Sequence, residues 1–251
     1  MAGHSAAFES AVELANQGDQ ARAELLLAES VKSVVARHGP RSREAAEAHN
    51  EVGLFLLRLG RDAEAVAPLR AACALEFPGD EAATGNRLAF LLNLGRALDR
   101  SGESEEAERI LNEGLIARER LYGRDHPGFA FGLEPLAEVL LRRGKLAEAR
   151  AAIVEAVQIL LACEHRRFAT AAALQAEVLK SIDPNARVFG FLEPLEDEEL
   201  ATVVEAVIKR RGMAPPLARR RALEELSEVL AEELGPRHEL RTRVMAELAA
   251  T

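Results

Sequence analysis

Aromatic side chains are almost missing from this chain: there is no tryptophan, one tyrosine and nine phenylalanines in 251 residues. A core must therefore be filled by Leu, Ala and Val, which suits helices packed at close range. Only two cysteines occur, Cys73 and Cys163, on separate apolar stretches and without CxxC spacing. That excludes a disulfide framework and a thiolate metal knuckle, and both thiols are expected to be small buried hydrophobes. No run approaches 18 apolar residues, so no membrane-spanning helix is expected. Met1–Ser10 lacks a basic stretch followed by an apolar one, so no secretory signal is read and a cytoplasmic location is expected. A dominant basic surface is also missing: the net charge is -9 and the pI about 5.3. Nucleic acid and anionic membrane are thereby excluded as main partners.

Catalytic signatures are absent as well. The chain has no GxxxxGK[ST], GxGxxG, HExxH or GxSxG. Its six histidines are dispersed, with no Cys, His or carboxylate at helical ligand spacing. The expectation is no enzyme, no cofactor and no metal. Lysine is scarce, four against 28 arginines, and with abundant alanine this fits a GC-rich bacterial source.

What the chain does have is a period. Gly18, Gly60, Gly102 and Gly144 stand 42 residues apart, and five residues after each comes Ala23, Ala65, Ala107 or Ala149. Four residues before each glycine is a leucine: Leu14, Leu56, Leu98, Leu140. Seven before is a small residue: Ala11, Gly53, Gly95, Ala137. Nine after is a large one: Leu27, Leu69, Leu111, Ile153. These offsets place an apolar stripe on each of two helices, with glycine capping the first in the left-handed conformation. The small residues let neighbouring helices approach. The spacing predicts helices over 4–17, 19–37, 42–59, 61–76, 80–101, 103–121, 127–143, 145–163 and 166–182. At 186, where a fifth glycine is due, stands Ala186, and the repeat breaks. A period of this size means an array whose core forms between neighbouring repeats.

These positions resemble the tetratricopeptide repeat. The 42-residue period and Glu119-Arg120-Leu121-Tyr122-Gly123-Arg124-Asp125-His126-Pro127 are similar to the longer variant found in kinesin light chains and many bacterial proteins. His38-Gly39-Pro40 and Phe77-Pro78-Gly79 stand in the equivalent turns. The resemblance implies an all-α, right-handed α-solenoid of antiparallel helix pairs over 1–182, with a concave groove lined by the first helix of each pair. A loop at 183–195 and a C-terminal helical cap at 196–251 complete the expected layout. Stripes at Leu200, Val203, Val204 and Val207, at Leu223, Leu226 and Leu230, and at Leu240, Val244 and Leu248 make that last part three helices, punctuated by Gly212 and Gly235-Pro236. It reads either as a cap on the open end of the array or as a module that docks a partner or dimerises.

The groove is where binding chemistry is expected. Arg58, Arg100 and Arg142 each stand two residues before a turn glycine. Cations in a last helical turn complement the dipole wherever they point. In the tetratricopeptide pattern the same position faces the groove, where guanidinium groups fork onto carboxylates. Asn50 and Asn93 fall where kinesin-light-chain-like repeats carry asparagines that hold a peptide backbone, and Arg96 lies one turn beyond Asn93. Glu51, Glu134 and Glu138 fall near the groove too, and Pro135 should kink its helix or mark its first turn. The basic clusters Lys209-Arg210-Arg211 and Arg219-Arg220-Arg221 are expected to pair along the helix, Arg220 with Glu224 and Arg221 with Glu225. The resemblance implies an adaptor that binds another protein or peptide, with acidic side chains favoured by the arginines. A regulator that caps one enzyme or toxin, and a self-assembling protein joined through its C-terminal helices, are the alternatives.

Overall fold

A computed structural model describes residues 5–75, 81–189, 197–210, 216–235 and 237–250. The turn at Phe77-Pro78-Gly79, most of the expected loop beyond Phe189, Gly212, Arg211 and Pro236 lie outside them. The described residues form twelve α-helices and no strand.

Two compact units emerge, Met1–Arg118 and Glu119–Thr251. The first holds α1 (Ala6–Asn16), α2 (Gln20–His38), α3 (Arg43–Arg58), α4 (Asp62–Cys73), α5 (Glu81–Arg100) and most of α6 (Ser104–Tyr122). The second holds the end of α6, then α7 (Pro127–Arg142), α8 (Leu146–Ala162), α9 (Phe168–Ile182), α10 (Asp197–Lys209), α11 (Pro216–Glu233) and α12 (Glu239–Ala249). Each expected helix is present, with ends moved by at most three residues.

Within the first unit the helices are antiparallel pairs, and α3 also touches both α1 and α5. The turn glycines explain the reversals: Gly18, Gly60, Gly102 and Gly144 have φ of 89°, 73°, 93° and 73°, a region that costs any other L-residue about 1–2 kcal/mol. The amide one residue past each turn glycine folds back onto the first helix; Arg61 N, for example, donates to Leu56 O at 2.9 Å.

The small-residue register is a packing rule with named partners. A Cβ on Gly53 would stand 2.4 Å from Leu69 Cγ, and one on Gly95 2.5 Å from Leu111 Cδ2. The residue seven before each glycine is the notch for the residue nine after it. Ala23, Ala65, Ala107 and Ala149 are wholly buried.

In the second unit α7, α8 and α9 continue the pairing, while α10 and α11 both pack on α9, and α12 packs on α10 and α11. Of the two expectations for Pro135, the first-turn one is excluded: it stands eight positions after Pro127, the first residue of α7, and the helix runs on past it. The cysteines part company too. Cys73 is buried on α4, but Cys163 caps the end of α8 and is exposed, because it stands past the last apolar position of that helix.

Candidate functional site

In the first unit, α3 and α5 present one polar face. Positions 43, 47, 50 and 54 on α3, and 86, 89, 93, 96 and 100 on α5, recur every three or four residues and so share a side. On that face Glu47 Oε1 accepts from Arg43 Nε at 2.9 Å and from Asn86 Nδ2 at 2.7 Å. Asn93 Nδ2 donates to Asn50 Oδ1 at 2.9 Å across the helix pair. Asn50 is buried and Asn93 half-buried. The bond leaves Asn50 Nδ2 and Asn93 Oδ1, one donor and one acceptor, without a partner among the described residues. A backbone amide offers the complementary pair.

The arginines differ from one another. Arg58 is exposed in the last turn of α3, and Arg96 is half-buried on α5 beside the asparagines. Arg100 is exposed, with Nη1 3.7 Å from Asp62 Oδ1 at the start of α4. Arg142 belongs to the second unit, on α7, where burial lowers its pKa and the charge of Glu177 works against that effect. The structure therefore brings Asn50, Asn93, Arg58, Arg96 and Arg100 onto the elements of one unit and carries Arg142 on the other.

Glu51 has an internal task. Its carboxylate accepts from Ser5 N and Ser5 Oγ, both at 2.6 Å, and so fastens the first turn of α1. In the second unit Glu134 is buried on α7 and accepts from Arg167 Nη2 at 3.1 Å. The Arg167 guanidinium also lies 4.6 Å from the centre of the Phe131 ring, against which His165 packs edge-on. Glu138 accepts from Arg210 Nη2 at 3.0 Å, and Glu177 accepts from Arg210 Nε. Burial of Arg210 works against its charge, but Glu177 and Glu138 outweigh it and hold the guanidinium more firmly protonated than usual.

The Arg210 contact is not legible in the sequence, because it joins residues 33 and 72 positions apart. One signal existed: Glu138 stands one period after Arg96, and Glu177 two periods after Asn93. In the C-terminal clusters Arg220 pairs with Glu224 at 3.1 Å, as expected. Arg221 also turns to Glu224, at 3.0 Å, rather than to Glu225. Glu225 is instead drawn inward, where Oε2 lies 2.6 Å from Lys180 Nζ and Oε1 accepts from Val188 N and Phe189 N. His126 caps α7, its Nδ1 accepting from Gly128 N at 2.9 Å while its ring stacks on Tyr122. Among the described residues no three His, Cys, Asp or Glu side chains gather in a way that would hold a metal ion, and no helix is long and apolar enough to cross a membrane.

Residues 87–128 match the family model of the tetratricopeptide repeat. No curated protein matches the chain in sequence. Among solved structures, a putative kinesin light chain from Podosopora anserina with nearly identical TPR-like repeats is 20% identical, covering 83% of this chain and 95% of that one with a TM-score of 0.53. BtubC (BKLC) from P. vanneervenii is 16% identical, covering 90% of each chain with a TM-score of 0.57. At such identity the likeness is one of fold, and it agrees with the glycine register and the helix pairs. Residues 87–128 thus carry a matched tetratricopeptide repeat, and the helix pairs on either side of it share the fold of tetratricopeptide-repeat arrays.

Proposed function

We propose that this protein is an adaptor or scaffold that binds another protein, and that it holds an extended segment of that partner against the α3–α5 face. The observation that carries the reading is the Asn93–Asn50 hydrogen bond, which leaves one amide donor and one acceptor ready for a peptide unit. Arg58, Arg96 and Arg100 surround that pair on the same two helices, with Arg142 as the corresponding residue of α7. Guanidinium groups in such numbers favour carboxylates, so the partner segment is acidic. No cofactor enters, and the reading is of a binding protein rather than an enzyme.

The test is selection of a random peptide library displayed on phage against the full chain. Enrichment of acidic peptides is expected, with binding lost in Asn93→Ala and at least ten-fold weaker in Arg58→Glu/Arg100→Glu, while helicity and melting stay near wild type. Peptides of no consistent charge, or affinity unchanged in both variants, would remove the α3–α5 face from consideration.

A further inference from the structure

The second unit treats the same register positions differently. On α9 the positions one period after Phe131, Glu134 and Pro135 are Ala173, Ala176 and Glu177, and all three are buried. They are covered by Val207 from α10, by Arg210 just past it, and by Ala218, Arg219 and Ala222 from α11, which enclose a narrow space with them. On α5 the corresponding Ala89, Leu92 and Asn93 remain half-exposed. The C-terminal helices thus lie on the side of α9 that in earlier repeats forms the binding face.

The contact ends in a defined polar site. Arg210, at the end of α10, bridges Glu177 on α9 and Glu138 on α7. Glu177 is buried, and its second oxygen, Oε1, is buried without a hydrogen-bond partner among the described residues. Arg219 holds the arginine-bearing turn in place, donating to Arg210 O at 2.6 Å and to Glu247 on α12. Two carboxylates on adjacent first-of-pair helices, with a spare buried acceptor, match the fork of a guanidinium better than the point charge of a lysine.

We propose that Glu138 and Glu177 form an arginine-receiving site through which α10 and α11 mask the binding face of the second unit. Resting on the adaptor reading, this adds regulation: an arginine-bearing partner segment reaches the α7–α9 face only by displacing Arg210. It also divides the molecule by chemistry, since the α3–α5 face offers guanidinium groups and the α7–α9 face receives one.

The experiment needs no knowledge of the partner. N-acetyl-arginine amide is titrated by NMR into the full chain, wild type and Arg210→Ala, with N-acetyl-lysine amide as control. Arg210→Ala is expected to bind the arginine probe at least ten-fold more tightly than wild type and to prefer it to the lysine probe. Adding Glu177→Gln should abolish the gain. Hydrogen exchange gives the second readout: α10 amides should exchange at least ten-fold faster in Arg210→Ala, with α1–α4 unchanged. Should Arg210→Ala not fold, Arg210→Lys keeps the charge, removes the fork, and should show the same localised rise in exchange. Equal probe binding by wild type and variant, or α10 exchange unaltered by either substitution, would overturn the proposal. The α3–α5 variants used for the peptide selection leave this site intact, so the two readings fail separately.

Discussion

At the scale of single residues, three groups carry tests. Gly53 is small because Leu69 occupies the space beyond it, and Ala107 is wholly buried. Gly53→Ala trades about 1 kcal/mol of helix propensity against a clash with the wholly buried Leu69, and overpacking at about 1–3 kcal/mol wins. Ala107→Leu inserts more volume at a site with no exposure and should destabilise by at least as much in urea unfolding. A neutral result for either would mean that the notch register is wrong. The two thiols should separate in an alkylation assay. Burial pushes the Cys73 thiol up to about 12, so it should stay unreacted in the native protein while exposed Cys163 is modified. His49 gives a pH dependence. Burial lowers its pKa below 6.5, so under acid the unfolded chain takes up a proton that the folded one resists. Stability tied to His49 is therefore whole above pH 6.5 and is lost as pH falls through the lower folded value. Melting temperature between pH 7 and 5 should fall less steeply in His49→Gln than in wild type; identical slopes would dismiss the effect.

At the scale of elements, helix ends were legible because their signals are local. Ser42 accepts from Ala45 N at the start of α3, Asp19 from Arg22 N at the start of α2, and glycine closes each first helix. Such contacts join residues a few places apart, so their spacing is written in the chain. The place of Pro135 needed more than local spacing. Its cost falls on the carbonyl one turn earlier, and only the packing around α7, buried along most of its length, decides whether a helix tolerates it. The seam between α9 and α11 was not legible at all. Glu225 meets Lys180 and two backbone amides from far along the chain. Because Lys180 and Glu225 are both largely buried, Glu225→Ala should cost about 3–5 kcal/mol, leaving an uncompensated cation and two unpaired donors. Lys180→Met should cost less, since Glu225 keeps its two amide donors. Thermal unfolding of the two variants decides it, and the reverse order would contradict the assignment.

At the scale of the whole molecule, the C-terminal helices divide the possibilities. We take 196–251 to be a cap as well as a mask. The apolar residues Leu200, Val203, Val204, Val207, Leu223 and Leu226 are buried, and α10 and α11 pack directly on α9. Truncation after Ser181 should therefore expose the Ala173–Ala176 side of α9 and produce aggregation or a lower melting temperature. A soluble truncation of equal stability would leave the masking role without a structural one.

The sequence by itself determined the helix pairs, their 42-residue register, the glycine caps, and which positions are small and which large. All of these follow from contacts inside a repeat or between neighbours, and a repeated contact leaves a repeated letter. It also marked Asn50 and Asn93, but not that one amide bonds the other. Only the tertiary structure decided that Glu51 serves Ser5, that Cys163 is exposed, and that Arg210 closes on Glu138 and Glu177. Those contacts occur once, between residues distant in the chain. A contact made once has no period to betray it, and its energy depends on burial that no local pattern of residues encodes.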